Sequence, residues 1–278
     1  MSLPVNRSGP SRTLVCFHAH PDDEAMSTGG LMAKAAAAGH RVILVTATNG
    51  EMGEPTPGVL DEGEALADRR LRELAQSAKI LGAEPPRLLG YRDSGMMGEP
   101  SNDNPACFWQ ADVEVAAARL ADLLADVHVD VLTIYDDHGL YGHPDHIQVH
   151  RVGLAAVPLL GVEHVYESTV DRDSMAEAMT VMGDELAEAG VELPSSADFG
   201  GGFGTARDDL SYRVDVSAFA VAKREALAAH QSQVAPDSMF LAAPERLFAA
   251  MFGEESYAIP GRTGTGGPRP VELLPGLD

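Results

Sequence analysis

A dense cluster of ionisable residues follows the first apolar segment of the chain. The apolar run LVCF at residues 14–17 leads directly into HAHPDDE at residues 18–24. Carboxylates and imidazoles held this close together must pair, shift their pKa values or bind a cation. Because Pro21 fixes a φ angle inside the turn, the His20 and Asp23 side chains can converge on one ion. We therefore predict a metal site at the end of the first strand.

A second cluster of the same kind lies about 120 residues further along. An apolar run over residues 129–134 precedes YDDHGLYGHPDH at residues 135–146. Open α/β sheets place their sites beyond the carboxyl ends of parallel strands, so the two clusters can meet there. His146 would then complete a set of two histidines and one carboxylate. His150 is the rival ligand, since it follows His146 by four residues and would lie one turn deeper in the same helix.

The alternation of apolar strands with helical patterns predicts an α/β fold. We expect a Rossmann-like, mostly parallel sheet flanked by helices, with the site at the carboxyl ends of its strands. Strands are predicted at residues 13–17, 41–47, 87–91, 129–134, 164–170 and 212–216.

A chain of 278 residues fits one large domain. Within that domain we expect a catalytic core over about residues 12–155 and a part that shapes the substrate pocket over about residues 156–260. Residues 261–278 are rich in glycine and proline, which predicts a flexible tail.

Composition restricts the partners of the chain. Its 42 acidic and 20 basic residues give a formal net charge of -22, which argues against nucleic acid and anionic membranes. The sequence shows neither an apolar leader nor a run of ~18 apolar residues, so a cytoplasmic protein is expected. Cys16 and Cys107 form no Cys-x-x-Cys pair, so we expect neither a disulfide framework nor a cysteine zinc site.

The ligand set predicts hydrolytic chemistry. If His20, Asp23 and His146 hold one ion, a fourth position is left for water, which is typical of catalytic metal sites. The metal would lower the pKa of that water towards ~7. Asp22 is next to a ligand without being one, so we predict that it is the general base. These ligand types also suit ferrous iron, but zinc is favoured because hydrolysis needs no redox metal.

Three residues of the second cluster are predicted to assist the reaction. His143 precedes a ligand by three residues, and we expect it to stabilise an oxyanion as an imidazolium, with help from Tyr141. Asp145 is expected to hold an imidazole in its charged form. The proton for the departing amine comes from Asp22 or from His143, and the sequence leaves this choice open.

The two motifs carry a resemblance to a known family. HPDDE after the first strand and HPDH about 120 residues on resemble the LmbE-like (PIG-L) zinc-dependent N-deacetylases. Within that family the chain resembles most the mycothiol-pathway deacetylases and mycothiol-conjugate amidases, over about residues 12–155 with an echo at residues 223–233. The resemblance implies one zinc ion, Asp22 as base and a small N-acetylglucosamine-like substrate. Residues after 156 differ, so an amidase or a secondary-metabolite deacetylase stays open.

The same resemblance assigns substrate contacts. Glu54, Arg70 and Asp93 fall at positions that bind sugar and cyclitol hydroxyls, which carboxylates and arginine can bind in bidentate fashion. The alternative for Arg70 is a salt bridge with Glu73 or Asp68 on its own helix.

Three further ionisable residues have structural interpretations. Glu24 is expected to support the turn by accepting hydrogen bonds, and His18 is expected to pack behind the site. For His230, which lies in the echo, a site role and a packing role are both open.

Two other classes of function compete with the hydrolase. A nucleotide-binding Rossmann protein would carry Gly-x-Gly-x-x-Gly in the first strand-to-helix turn, where this chain has acidic residues that repel a pyrophosphate. A catalytically silent metal-binding scaffold would lack a ligand or the base, and all of these are present. The sequence therefore favours a metal-dependent amide hydrolase.

Overall fold

The described part of the chain contains one eight-stranded sheet. The computed structural model describes residues 10–188 and 202–278. The strands are β1 Thr13–His18, β2 Arg41–Thr48, β3 Arg87–Tyr91, β4 Val131–Tyr135, β5 His164–Thr169, β6 Tyr212–Asp215, β7 Glu254–Ala258 and β8 Arg269–Val271. Their order in the sheet is β3-β2-β1-β4-β5-β7-β6-β8.

Helices cover both faces of this sheet. They are α1 Asp23–Ser27, α2 Gly29–Ala37, α3 Leu66–Ile80, α4 Val113–Leu123, α5 Gly139–Gly142, α6 Pro144–Leu160, α7 Arg172–Glu188, α8 Ala220–Ala229, α9 Met239–Ala242 and α10 Glu245–Phe252. Alternate residues of β1 enter two separate hydrophobic clusters, Leu14 on one face and Val15 on the other. One cluster contains residues of α2, α3 and α8, and the other contains residues of α4 and α6. A strand covered on both faces is apolar along most of its length, as β1 and β2 are.

The first five strands, β1 to β5, are parallel, and their order reverses beside β1. β1 pairs in parallel with β2 on one side and with β4 on the other. This reversal makes a crevice at the carboxyl ends of β1 and β4, where ligands bind in open α/β sheets. The predicted mostly parallel α/β sheet is confirmed.

The strand β7 departs from the parallel pattern. It pairs antiparallel with both β5 and β6, so the region after residue 160 completes the same sheet. This strand was not predicted, because the short segment EESYA begins with two glutamates and does not alternate clearly.

The prediction of a flexible tail over residues 261–278 is wrong for its second half. Residues 269–271 form β8, which pairs in parallel with β6. Leu274 is 0% exposed and Leu277 is 2% exposed, and the Tyr166 hydroxyl donates to the carbonyl of Pro275 at 3.0 Å. Glycine and proline dominate the composition of this segment, but its two leucines pack into the core.

Of the helices within the described residues, none has the length and apolar character that crossing a bilayer requires.

A substitution in the tail tests this packing. Leu274→Ala is expected to lower the free energy of unfolding by about 2–5 kcal/mol, because it leaves a cavity in the core. The matched control Thr263→Ala lies in the exposed part of the same segment and is expected to stay within about 0.5 kcal/mol of the wild type. Urea denaturation measures both, and equal stability of the two variants would contradict the packed tail.

Candidate metal centre and active site

The two ionisable clusters follow the carboxyl ends of two neighbouring strands, β1 and β4. Because β1 and β4 are parallel neighbours, with Cys16 opposite Thr133, the segments that follow them lie side by side. The ring centroids of His20 and His146 are 5.5 Å apart. The predicted meeting of the two clusters is confirmed.

Three imidazoles and one carboxylate face each other in this crevice. His20, His143 and His146 each offer a nitrogen atom, and these atoms lie within 4.8 Å of one another. Asp23 bridges two of the rings, since its Oδ2 lies 3.4 Å from Nδ1 of His20 and its Oδ1 lies 3.3 Å from Nε2 of His146. All three histidines are buried.

His150 is directed away from this group. Its Nδ1 lies 3.1 Å from the carbonyl oxygen of Tyr135 and 3.4 Å from a carboxylate oxygen of Glu167. The rival ligand is therefore engaged elsewhere, and His146 is the histidine of α6 that faces Asp23.

The chemistry of His146 and Asp23 fits a bound cation. His146 is 1% exposed and stacks on Tyr135, yet neither buried ring nitrogen makes a well-formed hydrogen bond, and Nε2 has only the Asp23 carboxylate oxygen at 3.3 Å. Unpartnered buried nitrogens are costly unless an ion binds them. Burial raises the pKa of Asp23, but His146 and His20 outweigh this effect and hold the pKa well below its usual range. An ionised carboxylate beside unpartnered imidazole nitrogens is a suitable donor set for a divalent cation.

The two ring nitrogens of His20 lie in different environments. Its Nε2 lies 3.1 Å from Asp145 and 3.5 Å from Asp93, and these three residues form a second group with metal-ligand spacing. Asp145 already accepts hydrogen bonds from the backbone N–H and the hydroxyl of Ser94. A carboxylate on one ring nitrogen orients the imidazole and leaves the other nitrogen for a metal. The arrangement therefore favours metal binding on the Nδ1 side, towards Asp23.

The contact of Asp145 also bears on the charge of His20. Burial lowers the pKa of His20, but hydrogen bonds to Asp145, Asp23 and Asp93 outweigh it and raise the pKa well above its usual value. Asp145 was expected to hold an imidazole, and the imidazole it contacts is that of His20.

Asp22 lies next to the ligand group in an unusual backbone conformation. Its φ angle is 109° and its ψ angle is -30°, and its side chain is 25% exposed. Arg70 donates to Oδ2 of Asp22 at 3.1 Å and also to the carbonyl oxygens of Pro21 and Gly50. Burial raises the pKa of Asp22, and the positive charge of Arg70 opposes that shift. A carboxylate with a raised pKa is suited to accept a proton near neutral pH.

The alternative prediction for Arg70, a salt bridge with Glu73 or Asp68 on its own helix, is wrong. The guanidinium of Arg70 is buried against Asp22, while Glu73 accepts hydrogen bonds from the backbone and hydroxyl of Ser232. Arg70 thus links α3 to the first motif.

The expected imidazolium at His143 is wrong. His143 caps the N-terminus of α6, and its Nδ1 accepts a hydrogen bond from the backbone N–H of Asp145 at 3.1 Å. An accepting Nδ1 carries no proton, so the ring is neutral with its proton on Nε2. Burial, followed by the neighbouring His20 and His146, lowers the pKa of His143 to about 2. His143 can therefore donate from Nε2 as a neutral imidazole.

The structure places the remaining predicted residues at different distances from the cluster. Tyr141 lies in α5 with its ring centroid 5.0 Å from that of His146, and it is 43% exposed. Asp93 is buried beside His20 and accepts hydrogen bonds from the backbone of Met52 and Gly95. Glu54 lies exposed in the loop after β2, and among the described residues its side chain makes no hydrogen bond to the cluster.

His18 has the packing role expected of it. Its ring nitrogens lie 2.9 Å from the hydroxyl of Tyr135 and 2.8 Å from that of Thr28, so neither is free for a metal. Burial lowers the pKa of His18 to about 4.

Sequence reasoning missed a buried pair behind the first motif. His230 Nε2 lies 2.7 Å from Oε1 of Glu24, and both side chains are fully buried. Ser94, which anchors Asp145, was also missed. The weak echo at residues 223–233 was the one signal for His230, and nothing in the sequence distinguishes Ser94 from other loop serines.

A family model extends across the elements that build this site. The model for PIG-L, described as GlcNAc-PI de-N-acetylase, matches residues 15–157. The chain belongs to the PIG-L family. The resemblance inferred from the two motifs is confirmed.

Members of the PIG-L family with assigned names match almost the whole chain. A 1D-myo-inositol 2-acetamido-2-deoxy-alpha-D-glucopyranoside deacetylase of Acidothermus cellulolyticus is 42% identical and covers 96% of each chain. A protein of the same name from Thermomonospora curvata is 42% identical over 91% of each chain. The solved N,N'-diacetylchitobiose deacetylase of Pyrococcus horikoshii has the same fold, with a TM-score of 0.52 and 24% identity over 83% of this chain and 73% of that one.

Metal content distinguishes the two histidines of α6. His146→Ala is expected to weaken divalent metal binding by more than about 100-fold. Mutation of a residue that only hydrogen-bonds to a metal ligand already costs up to about 100-fold in affinity, and loss of the ligand itself should cost more. The matched control His150→Ala is expected to retain one ion per chain, because His150 faces Glu167. Elemental analysis after equilibrium dialysis measures both, and metal loss in the control alone would contradict the assignment.

Proposed function

We propose that this chain is a zinc-dependent N-deacetylase that hydrolyses the acetamide of 1D-myo-inositol 2-acetamido-2-deoxy-alpha-D-glucopyranoside. The observation that carries the proposal is the contact of Asp23 with His146 at 3.3 Å, next in the chain to Asp22, whose carboxylate binds Arg70 and interacts electrostatically with Asp23. The relatives that match more than nine-tenths of the chain bear the name of this reaction. Zinc is favoured over iron because three N/O ligands suffice for hydrolysis without redox chemistry.

His20, Asp23 and His146 are the residues that would hold the ion. A bound zinc ion would act as a Lewis acid and would lower the pKa of a water molecule. Asp22 is the base that accepts the proton of the attacking water. Its Oδ2 is occupied by Arg70, so Oδ1 is the oxygen left to take that proton.

His143 and Tyr141 stabilise the charge that develops on the amide oxygen. The Nε2–H of the neutral His143 ring is a donor fixed by the cap of α6, so it needs no reorganisation during the reaction. The Tyr141 hydroxyl is a second donor at the exposed side of the crevice.

The departing amine takes its proton from Asp22. His143 is a poor source, since its pKa of about 2 reflects a ring that burial keeps neutral. Asp22, by contrast, carries the proton it has just accepted, so one carboxylate serves first as base and then as acid.

Substrate hydroxyls are bound by Asp93 and by Glu54. Asp93 is buried next to His20, and Glu54 projects from the exposed loop that follows β2. Arg70 was assigned to the same task by resemblance, but its contacts with Asp22 and two backbone carbonyls point to orientation of the base.

A mycothiol-conjugate amidase is the runner-up, since it would use the same ligands and base. It is disfavoured because the relatives that share 42% identity are named deacetylases.

The test of the proposed function is an acetate-release assay on the zinc-loaded protein. We expect release of acetate from N-acetylglucosaminyl-inositol at a kcat/KM well above that for plain N-acetylglucosamine, and little cleavage of a mycothiol S-conjugate. Faster cleavage of the S-conjugate would establish the amidase instead. Inertness towards all three compounds would refute the proposal that this chain is an amidohydrolase.

A substitution at His143 separates its two roles. His143→Asn is expected to lower kcat by about 10²–10³-fold, because it removes the Nε2 donor. Asparagine is a good N-cap, so the melting temperature should stay near that of the wild type. His143→Ala is expected to lose both the activity and the cap. Wild-type kcat in His143→Asn would show that the Nε2 donor is dispensable.

A further inference from the structure

A buried charged pair connects α8 to the first motif. His230, which follows the last residue of α8, contacts Oε1 of Glu24 at 2.7 Å, and Ser77 of α3 donates its hydroxyl to the same oxygen. Both members of the pair are 0% exposed. Burying two charges is costly, and a hydrophobic pair of similar volume often serves stability as well. The packing of α8 alone therefore does not account for a buried ion pair at this position.

The second oxygen of Glu24 provides the link to the site. The backbone N–H of Asp22 donates to Oε2 of Glu24 at 3.0 Å. Asp22 has a φ angle of 109°, which L-residues rarely adopt and which persists only when the surroundings enforce it. The hydrogen bond from its N–H to Glu24 is one of the contacts that enforce it.

The cap of α1 shows what this arrangement achieves. Asp22 is the N-cap residue, and an aspartate there normally accepts a hydrogen bond from the backbone of the first turn. The Asp22 side chain makes no such bond, and its Oδ2 accepts from Arg70 instead. In a capping box, the side chain at the third helical position reaches back to the N-cap N–H; here Glu24, at the second helical position, makes the equivalent bond to the Asp22 N–H. The Asp22 carboxylate therefore does not cap α1 and is bound by Arg70 instead.

We infer that Glu24 and His230 are positioning residues for Asp22. His230 and Ser77 fix the Glu24 carboxylate, Glu24 fixes the Asp22 N–H, and the resulting backbone conformation directs the Asp22 carboxylate towards the ligand group. This inference rests on the proposed function, in which Asp22 is the general base.

The test compares two substitutions at His230 in the zinc-loaded protein. His230→Ala is expected to lower kcat by about 10–100-fold with little change in KM or in bound zinc, because a base displaced by about 1 Å transfers protons poorly. His230→Gln places an N–H near the position of Nε2 and is expected to restore most of kcat. A kcat for His230→Ala equal to that of the wild type would overturn the inference.

A matched control removes a different buried hydrogen bond from the same turn. Ser232 binds Glu73 rather than Glu24, so Ser232→Ala is expected to lower the melting temperature while keeping the wild-type kcat. If Ser232→Ala and His230→Ala lose kcat equally, the role of His230 is structural only. If His230→Ala does not fold, Ser77→Ala removes one donor to Glu24 and is expected to lower kcat to a smaller extent. Wild-type kcat in a folded Ser77→Ala would then overturn the inference.

A crystal structure of His230→Ala gives a readout that does not depend on turnover. The Asp22 φ angle is expected to relax or its carboxylate to turn away from the Asp23–His146 pair. An unchanged Asp22 would overturn the inference even if the assay fails. A wild-type protein that releases no acetate, together with a displaced Asp22 in this variant, would refute the proposed function and leave the positioning network standing.

Discussion

The site depends on the parallel pairing of β1 with β4. These strands are distant in the chain, and their adjacency places both motifs at one edge of the sheet. Asp23 from the first motif then lies against His146 from the second, at 3.3 Å. Neither motif contains the complete proposed ligand set, so the candidate metal site forms only when the chain folds. Both faces of the sheet are covered by helices, so the proposed site lies beyond the carboxyl ends of its strands.

Backbone strain is concentrated at the same edge. Among the described residues, Asp22 and Leu140 are the non-glycine residues with a positive φ angle, and each belongs to one motif. Such conformations cost roughly 1–3 kcal/mol each and persist when hydrogen bonds enforce them. Glu24 accepts from the N–H of Asp22, and Asp136 accepts from the N–H of Leu140 at 2.7 Å. These two hydrogen bonds hold Asp22, the proposed base, in the first motif and the turn before Tyr141 and His143 in the second motif.

The sequence predicted the features that depend on local pattern and on strand order. Apolar runs located β1 to β6, and the ionisable residues after β1 and β4 located the crevice. It did not predict features that depend on atomic orientation or distant pairing. The neutral state of His143 follows from its cap geometry, which no residue pattern reports. The partner of Arg70 and the pairing of His230 with Glu24 require knowledge of how α3 and α8 pack. The strand β8 was hidden by a composition typical of loops.

Anomalous X-ray scattering at the zinc edge would locate the bound ion. We expect one peak per chain within about 2.0–2.2 Å of Nδ1 of His20, Nε2 of His146 and a carboxylate oxygen of Asp23. The Asp22 carboxylate should lie beside that peak without binding it. A peak on the Nε2 side of His20, between Asp93 and Asp145, would contradict the ligand set of His20, Asp23 and His146.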